Sequence, residues 1–167
     1  MANLIETEAA LDEELTAPRP VLVDAIRELR SPLVILGAGG KMGPSLAVLA
    51  RRAAEAAGHE LEVIAVSRFS DPAKEKWLRT RGVKTVTADL LDRNSVRGLP
   101  DAGEVLYLVG LKFGTEANPS LTWAINTVAP LHVLERYVGL RVVALSTGNV
   151  YPLSRIEQGG SREGDPL

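Results

Sequence analysis

The stretch 33-LVILGAGGKMGPSLAVLA-50 decides how this chain of 167 residues folds. It opens with four aliphatic residues, the composition of a strand that is buried on both faces of a sheet. Gly37, Gly40 and Gly43 follow at intervals of three, and Pro44 then begins an alanine-rich segment that reaches Gly58. Proline suits the first turn of a helix and glycine suits its end. The stretch therefore predicts a buried strand, a glycine loop (residues 37–43) and a helix.

The same alternation of strand and helix continues to residue 146, and the polar tail 147–167, rich in glycine and proline, is predicted to be a loop. Further strands are predicted at 61-LEVIAVS-67, 83-VKTVTA-88, 104-EVLYLVG-110 and 140-LRVVALS-146, with helical segments between them. We expect Pro130 to disturb the longest of these segments. Such alternation is typical of a doubly wound parallel sheet with helices on both faces, the α/β class.

Residues 1–31 are predicted to form a helical extension in front of this domain, which we place at residues 32–167. The run 21–30 carries apolar side chains at helical spacing, and we expect five of them to pack on the outside of the domain: Val21, Leu22, Ala25, Ile26 and Leu29.

The composition excludes several classes of protein. The formal net charge is -2 without a basic cluster, which argues against a nucleic-acid partner. The chain has no cysteine, so disulfides and zinc–thiolate sites are excluded, and no metal site is expected. No apolar run reaches the length of a membrane span, and the N-terminus lacks a signal-peptide pattern. We therefore expect a cytoplasmic protein that does not contact a membrane.

The glycine loop has a physical use at this place in a doubly wound sheet. A helix N-terminus offers unpaired N–H groups and partial positive charge, which suit a pyrophosphate. Glycines allow the tight turn and the close approach of the phosphates. We predict a dinucleotide pyrophosphate site formed by Gly37, Gly40, Lys41, Met42 and Gly43. The alternative is a tight glycine turn that binds no ligand.

The end of the second strand indicates which dinucleotide binds. An acidic residue there would accept hydrogen bonds from the ribose hydroxyls of NAD, but Ser67 and Arg68 occupy the position. Because a guanidinium binds phosphate, NADP is favoured, with Lys41 as a second positive charge. Asp71 keeps NAD as the second choice, although a helix cap before Pro72 is the simpler interpretation. The alternative for Arg68 is a solvated surface arginine.

The spacing of the glycines resembles the Thr-Gly-x-x-Gly-x-x-Gly signature of the extended short-chain dehydrogenase/reductases, the NAD(P)-dependent epimerase/dehydratase family. Leu36 stands here in place of the usual threonine. The resemblance covers residues 32–167 and implies a Rossmann-type domain. It also implies further cofactor contacts after the third and fourth strands: Asp89 and Leu90, then Val109, Gly110 and Leu111.

The resemblance also implies a catalytic position. In 142-VVALSTGNVYP-152, Val150 and Tyr151 align with a Val-Tyr pair of the family, which places Thr147 at the catalytic Ser/Thr. Asn126 aligns with a supporting asparagine. The implied activity is hydride transfer between a nicotinamide and a small-molecule substrate, often a nucleotide sugar. The alternatives are a turn residue for Thr147 and a capping or loop-bonding amide for Asn126.

The family's Tyr-x-x-x-Lys pair is missing, since the last lysine is Lys112. Tyr137 with Arg141, and Tyr151 with Arg155, have the spacing but carry arginine where a compact ammonium is needed. We therefore expect this chain to be inactive, and to be the N-terminal part of a longer, dimeric enzyme that is cut after the fifth strand. The alternative is a non-catalytic module that senses a dinucleotide.

Overall fold

The computed structural model describes residues 4–112, 114–147, 150–155, 157 and 159–166. The remaining positions fall in the N-terminal extension and in predicted loops, and they lie outside the described residues: 1–3, Phe113, Gly148, Asn149, Ile156, Gln158 and Leu167.

The described residues form one sheet of five parallel strands in the order β3-β2-β1-β4-β5. The strands are β1 (Leu33–Leu36), β2 (Val63–Ser67), β3 (Lys84–Thr87), β4 (Glu104–Tyr107) and β5 (Arg141–Ala144). The predicted doubly wound α/β sheet is therefore confirmed.

The helices connect and cover these strands. They are α1 (Glu8–Thr16), α2 (Pro20–Ile26), α3 (Gly43–Ala57), α4 (Pro72–Arg79), α5 (Arg93–Arg97), α6 (Pro119–Trp123), a π-helix (Ala124–Val128) and α7 (Ala129–Arg136). No helix in these described segments is long and apolar enough to span a bilayer.

The central strand β1 separates two apolar layers, as its all-aliphatic sequence predicts. Leu33 and Ile35 face the layer that contains α3, whereas Val34 and Leu36 face the layer that contains α7. All four side chains are buried. Burial of a Leu, Ile or Val side chain contributes about 1.5–3 kcal/mol. These residues therefore fix the strand, and with it the loop that leaves its C-terminal end.

The N-terminal extension packs on the outer side of α3. The Arg52 guanidinium donates to the hydroxyl of buried Thr16 at 2.8 Å, which ties α1 to α3. From α2, Ile26 is buried and Leu22 contacts the core, but Val21 is 74% exposed and Ala25 is also exposed. The predicted stripe is therefore wrong at these two positions. Val21 and Ala25 each precede a packed residue, Leu22 and Ile26, by one position, which turns them about 100° around the helix away from the packed face.

The segment around Pro130 is disturbed as expected. Proline has no N–H group to donate to the carbonyl one turn earlier. Here the N–H of Ala129 donates to the carbonyl of Ala124, five residues back, and a π-helix joins α6 to α7. A π-helix has more residues per turn than an α-helix, so side chains in Ala124–Val128 point in different directions from those of a regular α-helix.

A cross-strand ion pair holds β5 to β4. Glu104 and Arg141 face each other in the register of the two strands. The Arg141 guanidinium donates from Nε to Glu104 Oε2 at 2.7 Å and from Nη2 to Oε1 at 2.9 Å. Glu104 is buried, and its carboxylate raises the pKa of Arg141. This pair matters because three of the four residues of β5 are exposed.

Replacing Arg141 with alanine is expected to lower the melting temperature by about 3–6 °C, because the Glu104 carboxylate stays buried without its counter-charge. Differential scanning calorimetry measures this. The control is Arg27→Ala, which breaks the exposed ion pair with Asp24 and should change little. An unchanged melting temperature for Arg141→Ala would contradict the role assigned to the pair.

Candidate dinucleotide-binding site

A cleft opens at the C-terminal ends of the strands, where β1 lies between β2 and β4. At this point the strand order changes direction, which is where open α/β sheets bind ligands. The cleft is lined by the glycine loop, the ends of β2 and β3, the loop after β4 and one side of the α6–π segment.

Three glycines are required by the packing of the loop itself. Gly37 has φ +86°, and a Cβ atom there would lie 2.8 Å from Val109 Cγ2. A Cβ on Gly39 would lie 2.5 Å from the Ser67 hydroxyl, and one on Gly43 would lie 2.5 Å from the backbone of Ala38. Absent side chains therefore let the loop lie between β2 and β4 and let α3 begin directly beneath it.

Gly40 differs from these three glycines. It is exposed and lines the cleft, and a Cβ atom there would meet only the Gly37 carbonyl oxygen, at 3.2 Å. That contact is tight but longer than the 2.5 Å at Gly43, so the protein's own packing requires glycine less strongly at Gly40 than at Gly43. The space that a side chain would fill belongs to the cleft. This arrangement fits a phosphate that approaches the loop backbone closely.

The N-terminus of α3 is available to an anion. Four helices have a side-chain cap, provided by Thr7, Asp71, Asp92 and Asn118. In contrast, α3 is the longest helix described, and its N-cap residue Met42 makes no side-chain capping bond. Lys41 and Met42 are exposed beside it. The first N–H groups of α3 are therefore not satisfied by a side-chain cap, and a pyrophosphate would suit them.

A residue just after β2 adopts a rare backbone conformation. Phe69 has φ +43°, a conformation that non-glycine residues rarely adopt. The residue is buried, and a Cβ atom on Gly39 would lie 3.7 Å from its Cδ1. On either side of it, Arg68 and Ser70 are exposed and line the cleft. Such a strained residue persists only where its surroundings hold it. Packing of the Phe69 ring therefore aims its two polar neighbours at the cleft.

Sequence reasoning placed Ser67 and Arg68 here but missed Ser70 and the role of Gly39. Ser67 is half-buried, and its hydroxyl packs against Gly39. A positive φ at a phenylalanine has no signal in the sequence. For Gly39, the only sign in the sequence is that it is a second glycine directly before Gly40; its close contact with Ser67 is seen only in the structure.

Hydrogen bonds hold the loop after β3 beside the cleft. The Asp89 carboxylate accepts from the N–H of Leu91 at 3.0 Å, and the Asp89 N–H donates to the Ser95 hydroxyl at 3.1 Å. Leu90 is buried, and its carbonyl lies 3.2 Å from Nδ1 of His132 on α7. These contacts hold Asp89 and Leu90 where they line the cleft.

Asn126 binds the loop after β4. Its Oδ1 accepts from the N–H of Leu111 at 2.9 Å, and its Nδ2 donates to the Leu111 carbonyl at 3.0 Å. This is the loop-bonding alternative for Asn126. The two bonds hold Leu111 at the cleft together with Val109 and Gly110, where the resemblance implies cofactor contacts.

Thr147 lies at the same edge of the sheet, in the segment that follows β5. It is exposed, three residues beyond the end of β5, and it is not among the described residues that line the cleft. Of its motif, Gly148 and Asn149 lie outside the described residues. Nine of the predicted cofactor contacts line the cleft: Gly37, Gly40, Ser67, Arg68, Asp89, Leu90, Val109, Gly110 and Leu111. Lys41, Met42 and Gly43, at the start of α3, are not among the described lining residues, and neither is Thr147.

The Tyr137–Arg141 pair does not face the cleft. Tyr137 is buried, and its hydroxyl donates to the carbonyl of Pro100 at 2.9 Å, near the N-terminal end of β4. Burial raises the pKa of Tyr137 to about 12. A general acid works best with a pKa near the operating pH, so this tyrosine is unsuited to that role. Among the described residues there is also no group of three or more potential metal ligands.

Comparisons with solved structures agree with the fold. The ADP-L-glycero-D-manno-heptose-6-epimerase of Helicobacter pylori is 20% identical, with a TM-score of 0.63 over 78% of this chain and 42% of that chain. A candidate D-mannonate oxidoreductase from Haemophilus influenza, with NAD bound, is 11% identical, with a TM-score of 0.61 over 81% of this chain and 61% of that one. At these identities the likeness concerns the fold alone.

A third structure is a short-chain oxidoreductase from Pseudomonas aeruginosa PAO1 with NADPH bound and an atypical catalytic center. It is 18% identical, with a TM-score of 0.50 over 68% of this chain and 52% of that chain. The chain thus spans less than two thirds of the length of these three proteins. No curated protein sequence matches it.

A match to a protein-family model shows which family the chain belongs to. The model of the NAD dependent epimerase/dehydratase family matches residues 33–166, from the start of β1 to almost the last residue. The match leaves the helical extension outside and contains the whole sheet and the cleft. This chain therefore belongs to the NAD dependent epimerase/dehydratase family.

Proposed function

We propose that this chain is the cofactor-binding part of an NADP-dependent oxidoreductase of the epimerase/dehydratase type. The observation that carries the proposal is the open backbone of Gly40 beside the N-terminus of α3, which lacks a side-chain cap. Membership of the family supports it. When bound, the nicotinamide supplies the hydride chemistry, and the protein supplies binding and orientation.

Each part of the cleft has a distinct task in this proposal. The loop of Gly37, Gly40, Lys41, Met42 and Gly43 holds the pyrophosphate. The end of β2 binds the adenosine ribose, and Asp89 with Leu90 flanks the adenine. The segment from Val109 to Leu111, fixed by Asn126, lies along the remaining part of the cofactor.

NADP is favoured over NAD by the charges at the end of β2. Arg68 lines the cleft, and no ion pair with a carboxylate engages it within the described part of the chain. Asp71, the residue that would favour NAD, instead caps α4 by accepting from the N–H of Ala73 at 3.0 Å. NAD remains the second choice.

The proposed substrate is a small molecule, with a nucleotide sugar as the leading class, because the family to which the chain belongs often acts on nucleotide sugars. In this proposal Thr147 orients a substrate hydroxyl, with Asn126 supporting the site. Turnover by the chain itself is not expected, because its sequence contains no Tyr-x-x-x-Lys.

A second function has its own support. A module that binds a dinucleotide and senses it without catalysis needs the cleft but not Thr147. The described residues form a cleft that does not include Thr147. The two functions differ in whether a hydride is transferred when the chain acts in its native context.

The first test is direct binding. Isothermal titration calorimetry with NADP⁺ and NAD⁺ should show binding of both, tighter for NADP⁺, because a phosphate-binding cation lies at the end of β2. Candidate alcohol substrates should produce no NADPH absorbance at 340 nm, and candidate nucleotide sugars should give no epimerised or dehydrated product by chromatography. Absence of binding would refute the proposal, and ordinary enzyme rates would refute the expected inactivity.

Alanine substitutions at Gly43 and Gly40 should have different effects, the first on stability and the second on NADP⁺ binding. Gly43→Ala is expected to destabilise the protein by about 1–3 kcal/mol, because its Cβ would overlap the Ala38 backbone. Gly40→Ala should leave the protein folded but weaken NADP⁺ binding about tenfold or more, because its Cβ would occupy phosphate space. Urea unfolding and calorimetric titration measure the two effects. Equal loss of stability in both variants would contradict this division.

Asn126→Ala is expected to weaken dinucleotide binding about three- to tenfold, because Leu111 loses both hydrogen bonds and the loop gains freedom. Asn94→Ala is the control, because it truncates an exposed asparagine on α5 that is not among the residues lining the cleft, and it should leave the affinity unchanged. Calorimetric titration with NADP⁺ measures both variants. Wild-type affinity in Asn126→Ala would show that the two bonds do not organise the cleft.

A further inference from the structure

A second concave surface lies between α5 and α7. It is a groove of about 440 Å³, a volume within the range of small-molecule sites. Charged side chains dominate its walls, with Arg93 and Arg97 from α5 and His132, Glu135 and Arg136 from α7. Among the described residues, none lines both this arginine groove and the dinucleotide cleft. The groove is therefore a candidate for a ligand of its own.

Helical spacing brings the cations of the arginine groove together. Arg93 and Arg97 are four residues apart, so they lie on one face of α5, and His132 and Arg136 share a face of α7 in the same way. An ion pair between Arg93 and Glu135 shows that the two faces meet. Like charges placed this close repel one another unless an anion lies between them.

The protein's own carboxylates neutralise only part of this charge. Glu135 pairs with Arg93, and Asp101 accepts from Arg136 at 2.7 Å. Arg97 takes part in no ion pair within the part of the chain that the structure describes. The buried Nε of Arg136 also finds no acceptor among those residues. The arginine groove thus keeps more positive charge and more N–H donors than its carboxylates satisfy.

Glu135 shows how this surroundings of charge acts on an anion. The hydrogen bond from Arg93 lowers the pKa of Glu135, and the charges of Arg93, His132 and Arg97 act in the same direction, although burial opposes them. An anion from solvent would meet the same cations. It would also compete with the Glu135 carboxylate for Arg93.

His132 adds a further donor and connects the arginine groove to the cleft. Its Nδ1 lies 3.2 Å from the carbonyl oxygen of Leu90, which lines the dinucleotide cleft. A carbonyl oxygen only accepts hydrogen bonds, so Nδ1 carries a proton and donates it. The other ring nitrogen, Nε2, remains for another partner, and it becomes an N–H donor when the imidazole is protonated.

A phosphate group suits this chemistry. Guanidinium groups match the oxygens of a phosphate with parallel N–H donors, and each adds a full positive charge. We propose that the arginine groove is a second ligand site, which binds inorganic phosphate or the phosphate of a small monoester. The inference does not rest on the proposed function, because the groove and the dinucleotide cleft have separate walls.

The test is a titration of the ¹⁵N-labelled chain with sodium phosphate, followed by two-dimensional NMR at an ionic strength held constant with sodium chloride. We expect saturable shifts of the backbone N–H signals of Arg97 and Glu135. Chloride alone should not produce them. Because the glycine loop also suits an anion, the signals of Gly40 and Lys41 report separately on phosphate bound there.

Two substitutions should change the affinity in opposite directions. Arg97→Gln should weaken phosphate about tenfold or more, the loss of one charge-assisted hydrogen bond, and should leave the fold intact because Arg97 is exposed. Glu135→Gln should strengthen phosphate binding about two- to fivefold, because it frees Arg93 from its competing carboxylate. Arg19→Gln is the matched control, since it removes the same charge from an exposed position that does not line the groove, and it should change nothing.

Shifts confined to Gly40 and Lys41 would overturn the inference. So would wild-type affinity in Arg97→Gln, or weaker binding in Glu135→Gln, since the charges would then only tie α5 to α7. Glucose 6-phosphate in the same titration distinguishes the two sources of the phosphate group. Tighter binding than that of inorganic phosphate supports the site and identifies a monoester, and equal or weaker binding supports it with free phosphate as the ligand. All of these titrations are made without a dinucleotide, so failure of NADP⁺ to bind would refute the proposed function alone.

Discussion

The close approach of the glycine loop to the strands on either side is the constraint on which the rest of the site depends. Backbone without side chains at Gly37 and Gly39 contacts Val109 after β4 and Ser67 at the end of β2. Gly43 then allows α3 to start against Ala38. Since the buried strand β1 fixes the start of the loop, the core and the loop together place the N-terminus of α3 at the cleft.

The sequence predicted this part well because its signals are local. The aliphatic run, the regularly spaced glycines and the proline that begins α3 are neighbours in the chain, and each restricts the backbone on its own. Contacts across the cleft are different. Nothing in the residue types shows that Lys74 reaches Gly39, or that Asn126 bonds both backbone groups of Leu111. These depend on how α4 and the π-helix are oriented after folding.

At two further places the structure differs from what the sequence predicts, again because of tertiary packing. The helical spacing of the extension placed Val21 and Ala25 on the packed stripe, but short α2 turns these two residues outward. Phe69 adopts a conformation that its residue type disfavours, because its ring finds a buried position close to Gly39. In both cases tertiary packing overrides local preference, and in the second it shapes the cleft.

The residues proposed to bind the cofactor and the residue proposed to act in catalysis lie in different parts of the sheet. The proposed cofactor contacts lie within residues 37–111, at the ends of β1 to β4, where buried side chains and loop hydrogen bonds fix them. Thr147 follows β5, most of whose residues are exposed and which the Glu104–Arg141 pair helps to hold to β4. Hydride transfer requires groups oriented to within fractions of an ångström and shielded from water. Buried side chains and loop hydrogen bonds hold the cleft in place, and the sequence contains no Tyr-x-x-x-Lys, so binding of the cofactor is supported more directly than turnover.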